Sequence, residues 1–307
     1  MTIKENVNLA EYTNFKIGGP AKYFCEVKEI RDIQFALLHA KQNNLTYFIL
    51  GGGTNLLVSD KGFNGLVIMM MNKSFTFQDL RLITGAGALF DELIQAAADK
   101  GLSGLEWAGG LPGTIGGAVR GNAGCFGFEI KDCVFRVTSI SKDGEIIERD
   151  NEFCEFGYRD IVFKRNGEII ISVELSLKNG KKEEILRERD EKIKYRWNRQ
   201  PLELPSAGSV FKNCPLDSMP LEIQKGFSEK IKQDPFPVIP AAVLIAALGL
   251  AGVSIGGAKI SEKHTNFIVN FKNAKAHDVL ALINLVKKKV KNDFGVLLEE
   301  EIQLVGF

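Results

Sequence analysis

The 307-residue sequence lacks several features that would place it quickly in a class of protein. Its five cysteines form no CxxC pair and no cysteine–histidine spacing typical of a zinc site. Lysine and arginine total 39 against 38 aspartates and glutamates, so no excess charge favours nucleic acid or an anionic membrane as partner. The first residues are polar and contain no apolar signal core. These absences predict a cytoplasmic protein with free thiols and no metal site.

One uncharged stretch, Val238–Ala258, is long enough to cross a bilayer. It is rich in alanine and glycine, which give weak hydropathy on membrane-insertion scales. We therefore predict a short buried helix followed by glycine turns, and no membrane span.

The order of apolar patterns predicts a mixed α/β fold. A helix over Arg31–Gln42, with Ile33, Leu37 and Leu38 facing inward, lies between two strand patterns and indicates a βαβ unit with parallel strands. Strands are predicted over Lys22–Val27, Thr46–Leu50, Gly65–Met70, Leu82–Gly87, Cys133–Ile140, Glu145–Glu148, Asn266–Asn270 and Glu301–Val305. Further helices are predicted over Leu89–Lys100, Lys181–Trp197, Ala241–Leu248 and Ala276–Asp293.

Two dipeptides predict β-hairpins. Asp143-Gly144 lies between two strand patterns, and Asn166-Gly167 lies between the runs Ile161–Phe163 and Glu168–Leu177. The highly charged helix over Lys181–Trp197 indicates a connector, so a domain boundary is expected near its end.

The strongest chemical signals are two glycine-rich loops. Neither is a Rossmann fingerprint or a P-loop, but glycine lets backbone N–H groups approach a phosphate closely. One such loop alone is more typical of a tight turn, whereas two together favour a ligand with two phosphates, such as a dinucleotide. The candidate cofactor residues are Gly51, Gly52, Gly53, Thr54, Asn55 and Leu56 in the first loop, and Pro112, Gly113, Thr114, Gly116, Gly117, Asn122 and Gly124 in the second.

Seven segments, in one order along the chain, resemble the UDP-N-acetylenolpyruvoylglucosamine reductase (MurB) family in its shorter, type II-like form. The resemblance extends from about residue 9 to residue 306. The segments are Thr13–Ala21, Ile49–Asp60, Gly101–Gly127, Phe156–Phe163, Pro205–Asn213, Gly256–Asn270 and Phe294–Gly306.

This resemblance implies a two-part FAD-binding domain of the PCMH type, formed by subdomains 1–72 and 73–197, and a smaller α/β substrate-binding domain over 198–307. It also implies non-covalent FAD and NADPH as co-substrate. The expected reaction reduces UDP-N-acetylglucosamine enolpyruvate to UDP-N-acetylmuramate, a step of peptidoglycan synthesis in the cytoplasm that serves cell wall formation, cell shape and division. The chain is expected to act as a monomer.

Three residues match the family's catalytic positions. Ser209 would protonate the carbanion that hydride transfer creates, while Arg159 and Glu301 would stabilise the enolate. Without the resemblance, Arg159 would be taken as an ordinary surface cation, Ser209 as a turn residue and Glu301 as one of three solvated acids. Six residues in or near the motifs are candidates for substrate binding: Tyr158, Arg199, Gln200, Lys212, Asn213 and His264.

The chain departs from the family pattern at Asn14, Ile161, Cys214, Ala242 and Ala246, and its stretch Leu216–Pro240 is long. These departures bear on substrate affinity more than on the type of reaction. Two other functions stay open: an FAD oxidase of the same fold acting on a sugar or alcohol, and a non-catalytic nucleotide-sugar or flavin-binding module. The intact set of three catalytic positions argues against both.

Overall fold

The computed structural model describes the whole chain, Met1–Phe307, which divides into two compact units. Unit 1 comprises Met1–Val7, Ala21–Gly52 and Asn64–Arg196. Unit 2 comprises Asn8–Pro20, Gly53–Phe63 and Trp197–Phe307. The chain therefore changes unit several times, once inside the first glycine loop between Gly52 and Gly53.

The strands of unit 1 form two larger sheets. The four-stranded sheet has the order Ile3–Asn8, Pro20–Val27, Phe63–Met70, Tyr47–Leu50, and its last two strands are parallel. The five-stranded sheet is antiparallel, in the order Ile146–Asp150, Val134–Ile140, Ile169–Ser176, Arg81–Gly85, Phe75–Gln78. Two short antiparallel pairs join Gly124–Cys125 to Phe128–Glu129 and Leu102–Ser103 to Lys178–Asn179.

Unit 2 is built on a four-stranded antiparallel sheet, in the order Ser206–Ser209, Phe267–Asn270, Ala258–Ile260, Ser254–Ile255. Cys214–Pro215 pairs with Val238–Ile239, and Leu56–Val58 runs parallel to Gln303–Val305. Its core draws on all three stretches of the unit, because Phe15, Ile17 and Leu57 are buried with the apolar residues of the C-terminal stretch.

Seven α-helices are present: α1 Ile30–Gln42, α2 Phe90–Asp99, α3 Ile115–Arg120, α4 Lys182–Arg199, α5 Leu221–Gly226, α6 Ala241–Ala247 and α7 Ala276–Phe294. Short 3₁₀ helices cover Leu9–Tyr12, Glu106–Ala108, Ile130–Asp132, Asn151–Cys154, Val162–Lys164, Leu216–Ser218 and Ser228–Lys230. The predicted mixed α/β class is confirmed, as is the helix with following turns in Val238–Ala258. None of the helices combines the length and hydropathy that crossing a bilayer requires.

The inward face of α1 differs from the prediction at one position. Ile33 and Leu37 are buried, but Leu38 is 52% exposed. Ala36 and Ala40 complete the buried stripe instead, at the three- and four-residue spacing of one helix face. The helix begins where the Asp32 carboxylate accepts a hydrogen bond from the backbone N–H of Glu29 (3.2 Å).

The hairpin predicted at Asp143-Gly144 is confirmed, but the one predicted at Asn166-Gly167 is wrong. Val162–Lys164 forms a 3₁₀ helix rather than a strand. The strand Ile169–Ser176 already has neighbours on both edges, Val134–Ile140 and Arg81–Gly85, so no backbone edge is left for the segment before it. Ile161 and Phe163 are buried nevertheless, which explains their apolar pattern.

Candidate active site

Within unit 1 the two glycine loops touch. A Cβ atom added to Gly51 would lie 2.7 Å from Oγ1 of Thr114, and one added to Gly52 would lie 2.8 Å from Cα of Gly113. Because backbone at such a distance cannot give way cheaply, residues with side chains would push the loops apart. The structure thus brings together two loops that the sequence predicts as one binding site.

The second glycine loop, Pro112–Gly124, is held from both sides. Thr114 is buried and caps α3, where its side chain accepts a hydrogen bond from the Gly117 N–H (3.3 Å). The Gly116 N–H donates to the Ala86 carbonyl (2.9 Å), and a Cβ on Gly116 would lie 2.7 Å from Cβ of Ala86. Pro112 is exposed, and Gly113 has a φ of +114°, which only glycine adopts readily.

Asn122 lies fully buried at the end of this loop. Its Nδ2 donates to Oε1 of Glu129 (3.2 Å) and to the carbonyl of Gly157 (2.8 Å). Its Oδ1 is buried and accepts no hydrogen bond from the protein. A buried oxygen of this kind is costly unless a further donor meets it, so Asn122 offers an acceptor to a bound ligand.

Arg159 lies in a tight turn from Gly157 to Asp160, which we call the arginine turn. Hydrogen bonds close it in both directions, from the Gly157 N–H to the Asp160 carbonyl (2.9 Å) and from the Asp160 N–H back (3.2 Å). Arg159 has a φ of +54°, a left-handed conformation that costs a residue with a side chain roughly 1–2 kcal/mol. Such strain is typical of functional positions that the surrounding structure holds in place.

The guanidinium of Arg159 contacts the second glycine loop. Its Nη1 donates to the carbonyl of Asn122 (3.1 Å), and its Nη2 donates to the carbonyl of Gly124 (2.9 Å). Its central carbon lies 5.2 Å from the ring centre of Tyr158. Two predicted cofactor residues, one predicted substrate residue and one predicted catalytic residue therefore meet in unit 1.

The rest of the first glycine loop belongs to unit 2. Gly53 has a φ of +65°, and a Cβ there would collide with the carbonyl of Tyr12. Thr54 is half-buried in the following turn, and Leu56 begins the strand parallel to Gln303–Val305. Asn55 connects the loop to Glu301, a predicted catalytic residue, because its Nδ2 donates to the carbonyl of Glu301 (3.0 Å).

Ser209 and Glu301 lie on adjoining segments of unit 2. The backbone N–H of Glu301 donates to the carbonyl of Val210 (2.8 Å), the residue after Ser209. Ser209 ends a strand and opposes Phe267, after a bulge in which Gly208 has a φ of +78°. Both side chains are half-buried. Unit 2 thus brings the predicted proton donor near one of the two predicted enolate-stabilising residues.

The remaining predicted substrate residues differ in their surroundings. Lys212 forms a 3.0 Å ion pair with Glu299, and Oδ1 of Asn213 accepts a hydrogen bond from the Ala241 N–H (3.4 Å) at the start of α6. Arg199 is exposed at the end of α4, and the Gln200 carbonyl accepts from the Leu202 N–H (2.9 Å). Lys212 and Asn213 therefore follow Ser209 in the same stretch of chain, whereas Arg199 and Gln200 lie where α4 ends.

His264 is a largely buried member of the predicted substrate residues. Burial lowers its pKa, because the imidazolium form loses hydration. Its Nδ1 is buried without a hydrogen-bond partner, and its ring lies edge-on to Phe267, 4.8 Å between ring centres. The neutral imidazole is therefore the form that the fold favours, next to the residue that opposes Ser209.

The arrangement in unit 1 fits a dinucleotide. The two loops approach each other through glycines, at positions where side chains would collide with the opposite loop. The buried Oδ1 of Asn122 can accept a hydrogen bond from a ligand. No group of three or more His, Cys, Asp or Glu side chains has a metal-binding arrangement. No two of the five cysteines form a disulfide, and burial raises the pKa of Cys25, Cys133 and Cys214 to about 12.

Two buried polar residues beside these positions did not emerge from the sequence. Asn266, which is buried, bonds the backbone of Phe211 in both directions, accepting from its N–H (3.0 Å) and donating to its carbonyl (2.8 Å). Glu129 is a buried carboxylate that contacts Asn122. The available signals were a carboxylate between Phe128 and Ile130 and an amide directly before the apolar run Phe267–Val269.

Comparison with known proteins first defines the class. Residues 21–150 match the family model of an FAD binding domain, so the chain is an FAD-binding flavoprotein. This range contains both glycine loops and their contacts in unit 1.

The particular family follows from the rest of the chain. Residues 200–305 match the model of the C-terminal domain of UDP-N-acetylenolpyruvoylglucosamine reductase. The reductase of Lachnoclostridium phytofermentans is 38% identical, with 98% of this chain and 92% of that protein covered. That of Lactobacillus delbrueckii subsp. bulgaricus is 37% identical, with 100% and 96% covered. The crystal structure of the Thermus caldophilus reductase (MurB) superimposes with a TM-score of 0.79 at 36% identity, covering 99% of this chain and 100% of that one. The chain belongs to the UDP-N-acetylenolpyruvoylglucosamine reductase family.

Proposed function

We propose that the protein reduces UDP-N-acetylglucosamine enolpyruvate to UDP-N-acetylmuramate, with NADPH as electron donor and non-covalent FAD as cofactor, in peptidoglycan precursor synthesis. The observation that carries the proposal is the backbone bond that places Glu301 beside the segment of Ser209, in a chain related over its full length to these reductases. We further propose a cytoplasmic monomer, with 1–72 and 73–197 binding FAD and 198–307 binding substrate.

FAD, when bound, supplies the hydride that it has received from NADPH. The cofactor residues are the two glycine loops, with Asn122 as an acceptor. Delivery of hydride to the methylene carbon of the enolpyruvyl group leaves negative charge on the carbon beside the carboxylate. Fixed polar groups stabilise such charge best when they need no reorganisation, which suits a guanidinium already held by two carbonyls.

Ser209 then donates its hydroxyl proton to this carbon. A hydroxyl is a weak acid at neutral pH, so it serves only an acceptor as basic as a carbanion. Glu301 and Arg159 stabilise the enolate. Tyr158, Arg199, Gln200, Lys212, Asn213 and His264 supply donors and acceptors to the diphosphate and sugar of the substrate.

The test is an anaerobic experiment on the purified protein with its flavin. NADPH should bleach the visible flavin absorption, and addition of the enolpyruvyl sugar should restore it. Bleaching without recovery would show that the enolpyruvyl sugar is not the substrate. No bleaching by NADPH, together with bleaching by a sugar or alcohol and rapid recovery on admitting oxygen, would indicate an oxidase instead.

A Ser209→Ala variant separates the two half-reactions. We expect bleaching by NADPH to proceed as in the unaltered protein, because no flavin-binding residue changes. Recovery with the enolpyruvyl sugar should slow by about a hundredfold or more, the usual contribution of a positioned acid. Equal recovery rates in the two proteins would show that another group delivers the proton.

A further inference from the structure

Glu129 is a buried carboxylate beside the arginine turn, outside the set of residues assigned above. Its side chain is 8% exposed. Oε1 accepts a hydrogen bond from Nδ2 of Asn122 (3.2 Å), and Oε2 pairs with the partly exposed ammonium of Lys131 (2.5 Å). The carboxylate also accepts a hydrogen bond from the backbone N–H of Asp132, in the capping box that begins the 3₁₀ helix Ile130–Asp132. Burying a carboxylate is costly, so these partners indicate which groups it holds.

A short hairpin fixes the backbone of Glu129 against the second glycine loop. Glu129 opposes Gly124 in this hairpin, and a Cβ on Gly124 would lie 2.7 Å from Cγ of Glu129. The two turn residues, Phe126 and Gly127, both have positive φ (+57° and +84°), as the type I′ hairpin turn requires. The hairpin therefore fixes the position of the Glu129 carboxylate beside Asn122.

Asn122 and Arg159 hold each other reciprocally. The side chain of Asn122 donates to the backbone carbonyl of Gly157, the first residue of the arginine turn (2.8 Å). The side chain of Arg159 donates to the backbone carbonyls of Asn122 (3.1 Å) and Gly124 (2.9 Å). Glu129 accepts a hydrogen bond from the same amide nitrogen that donates to Gly157, so the two acceptors favour one orientation of the Asn122 amide.

We propose that Glu129 is a positioning residue that, through Asn122, keeps Arg159 in its strained left-handed turn and its guanidinium in the orientation that the reduction step needs. The inference rests on the proposed function, since it assumes that Arg159 stabilises the enolate. Without the carboxylate, Asn122 can rotate, the bond to Gly157 is lost, and the turn can relax. Displacement of the guanidinium slows the step that it serves, whereas rotation of Asn122 alters the acceptor that this side chain offers to flavin.

The experiment compares half-reactions of the flavin-loaded protein in Glu129→Ala, Glu129→Gln and Lys131→Met. In Glu129→Ala kept at saturating FAD, we expect bleaching by NADPH to proceed as in the unaltered protein. Recovery at saturating enolpyruvyl sugar should slow by about tenfold to a hundredfold, the cost typical of a displaced catalytic group. Glu129→Gln retains an oxygen that accepts from Asn122 and should recover at nearly the unaltered rate. Lys131→Met removes only the ion pair and should recover normally.

Three outcomes would overturn the inference: normal recovery in Glu129→Ala, failure of Glu129→Gln to rescue, or equal slowing in Lys131→Met. An Arg159→Ala variant, measured in parallel, tests the assumption beneath it. Normal recovery in Arg159→Ala would remove the role proposed for the arginine itself. Slow recovery in Arg159→Ala together with normal recovery in Glu129→Ala would leave that role intact and refute the role of Glu129 alone.

Discussion

Gly52 has room for a hydrogen atom only, because a Cβ there would lie 2.8 Å from the backbone of Gly113. A Gly52→Ala change should separate the two glycine loops at a cost of roughly 1–3 kcal/mol. We expect weaker retention of FAD, measured by flavin fluorescence during dilution of the loaded protein. Gly226→Ala is the matched control, since nothing lies within 4 Å of a Cβ at that position. Equal retention in both variants would contradict contact between the loops.

His264 should make the stability of the protein depend on pH. Its pKa is lowered by burial, so the unfolded chain takes up a proton more readily than the folded one. Its contribution is complete above the unfolded pKa of about 6.5 and is lost as pH falls below that value. Melting temperatures at neutral and mildly acidic pH should therefore diverge more in the unaltered protein than in His264→Gln. The same divergence in both would mean that other groups account for it.

For single residues, the sequence predicts a role that depends on the residue's own conformation or its neighbours in the chain. It does not predict a role that depends on partners far away in sequence. The glycines of both loops stand out because consecutive glycines are rare without a steric need, and their side-chain-free surfaces do meet. Nothing in the sequence shows that Arg159 adopts a left-handed conformation, because the bonds that hold it come from Asn122 and Gly124, more than thirty positions away. The catalytic roles of Arg159, Ser209 and Glu301 stay predictions that rest on the family resemblance.

At the scale of elements, the segment that follows the strand Ser206–Ser209 relies on one asparagine, Asn266, for the hydrogen bonds of its buried backbone. Asn266→Ala would leave the N–H and the carbonyl of Phe211 buried without partners, which should cost roughly 2–4 kcal/mol. Urea unfolding measures this loss as a lower midpoint. Asn198→Ala, at an exposed position of α4, should leave the midpoint unchanged. A midpoint for Asn266→Ala equal to that of the control would show that water satisfies Phe211.

The two dipeptides Asp143-Gly144 and Asn166-Gly167 show where prediction of elements fails. Both carry the same local preference for a tight turn. Only the first connects two strands, because Ile146–Asp150 finds an open edge beside Val134–Ile140. Ile169–Ser176 is central in its sheet, so Val162–Lys164 becomes a 3₁₀ helix. The preference of a dipeptide for a tight turn is local. Whether a strand finds an open edge of a sheet depends on strands that lie far away in sequence.

For the whole molecule, the composition of unit 2 predicts that its C-terminal stretch cannot fold alone. A fragment of residues 198–307 lacks Phe15, Ile17 and Leu57, which are buried in the core of the unit. Their burial stabilises by roughly 5–9 kcal/mol in total, comparable with the stability of a typical domain. We expect the fragment to lack near-ultraviolet circular dichroism and cooperative urea unfolding, both present in the full chain. Cooperative unfolding of the fragment would show that the C-terminal stretch is self-sufficient.

Sequence patterns could not have shown this composition. The charged helix α4 indicates a boundary near its end, and the chain does enter unit 2 at Trp197. No pattern indicates that Asn8–Pro20 and Gly53–Phe63 belong to the same unit, because membership depends on packing between distant segments rather than on local preference. The three-part division into 1–72, 73–197 and 198–307 stays a prediction.

The parallel pair formed by Leu56–Val58 and Gln303–Val305 affects how the protein folds during its synthesis on the ribosome. Asn55 and Glu301, which bond beside this pair, are 246 positions apart. At a synthesis rate of roughly 5–20 residues per second, Leu57 emerges at least about ten seconds before its partner strand. During that interval the side chains of Phe15, Ile17 and Leu57 have no completed core to enter. Nascent chains of this protein should therefore be clients of a chaperone that shields apolar segments until translation is nearly finished.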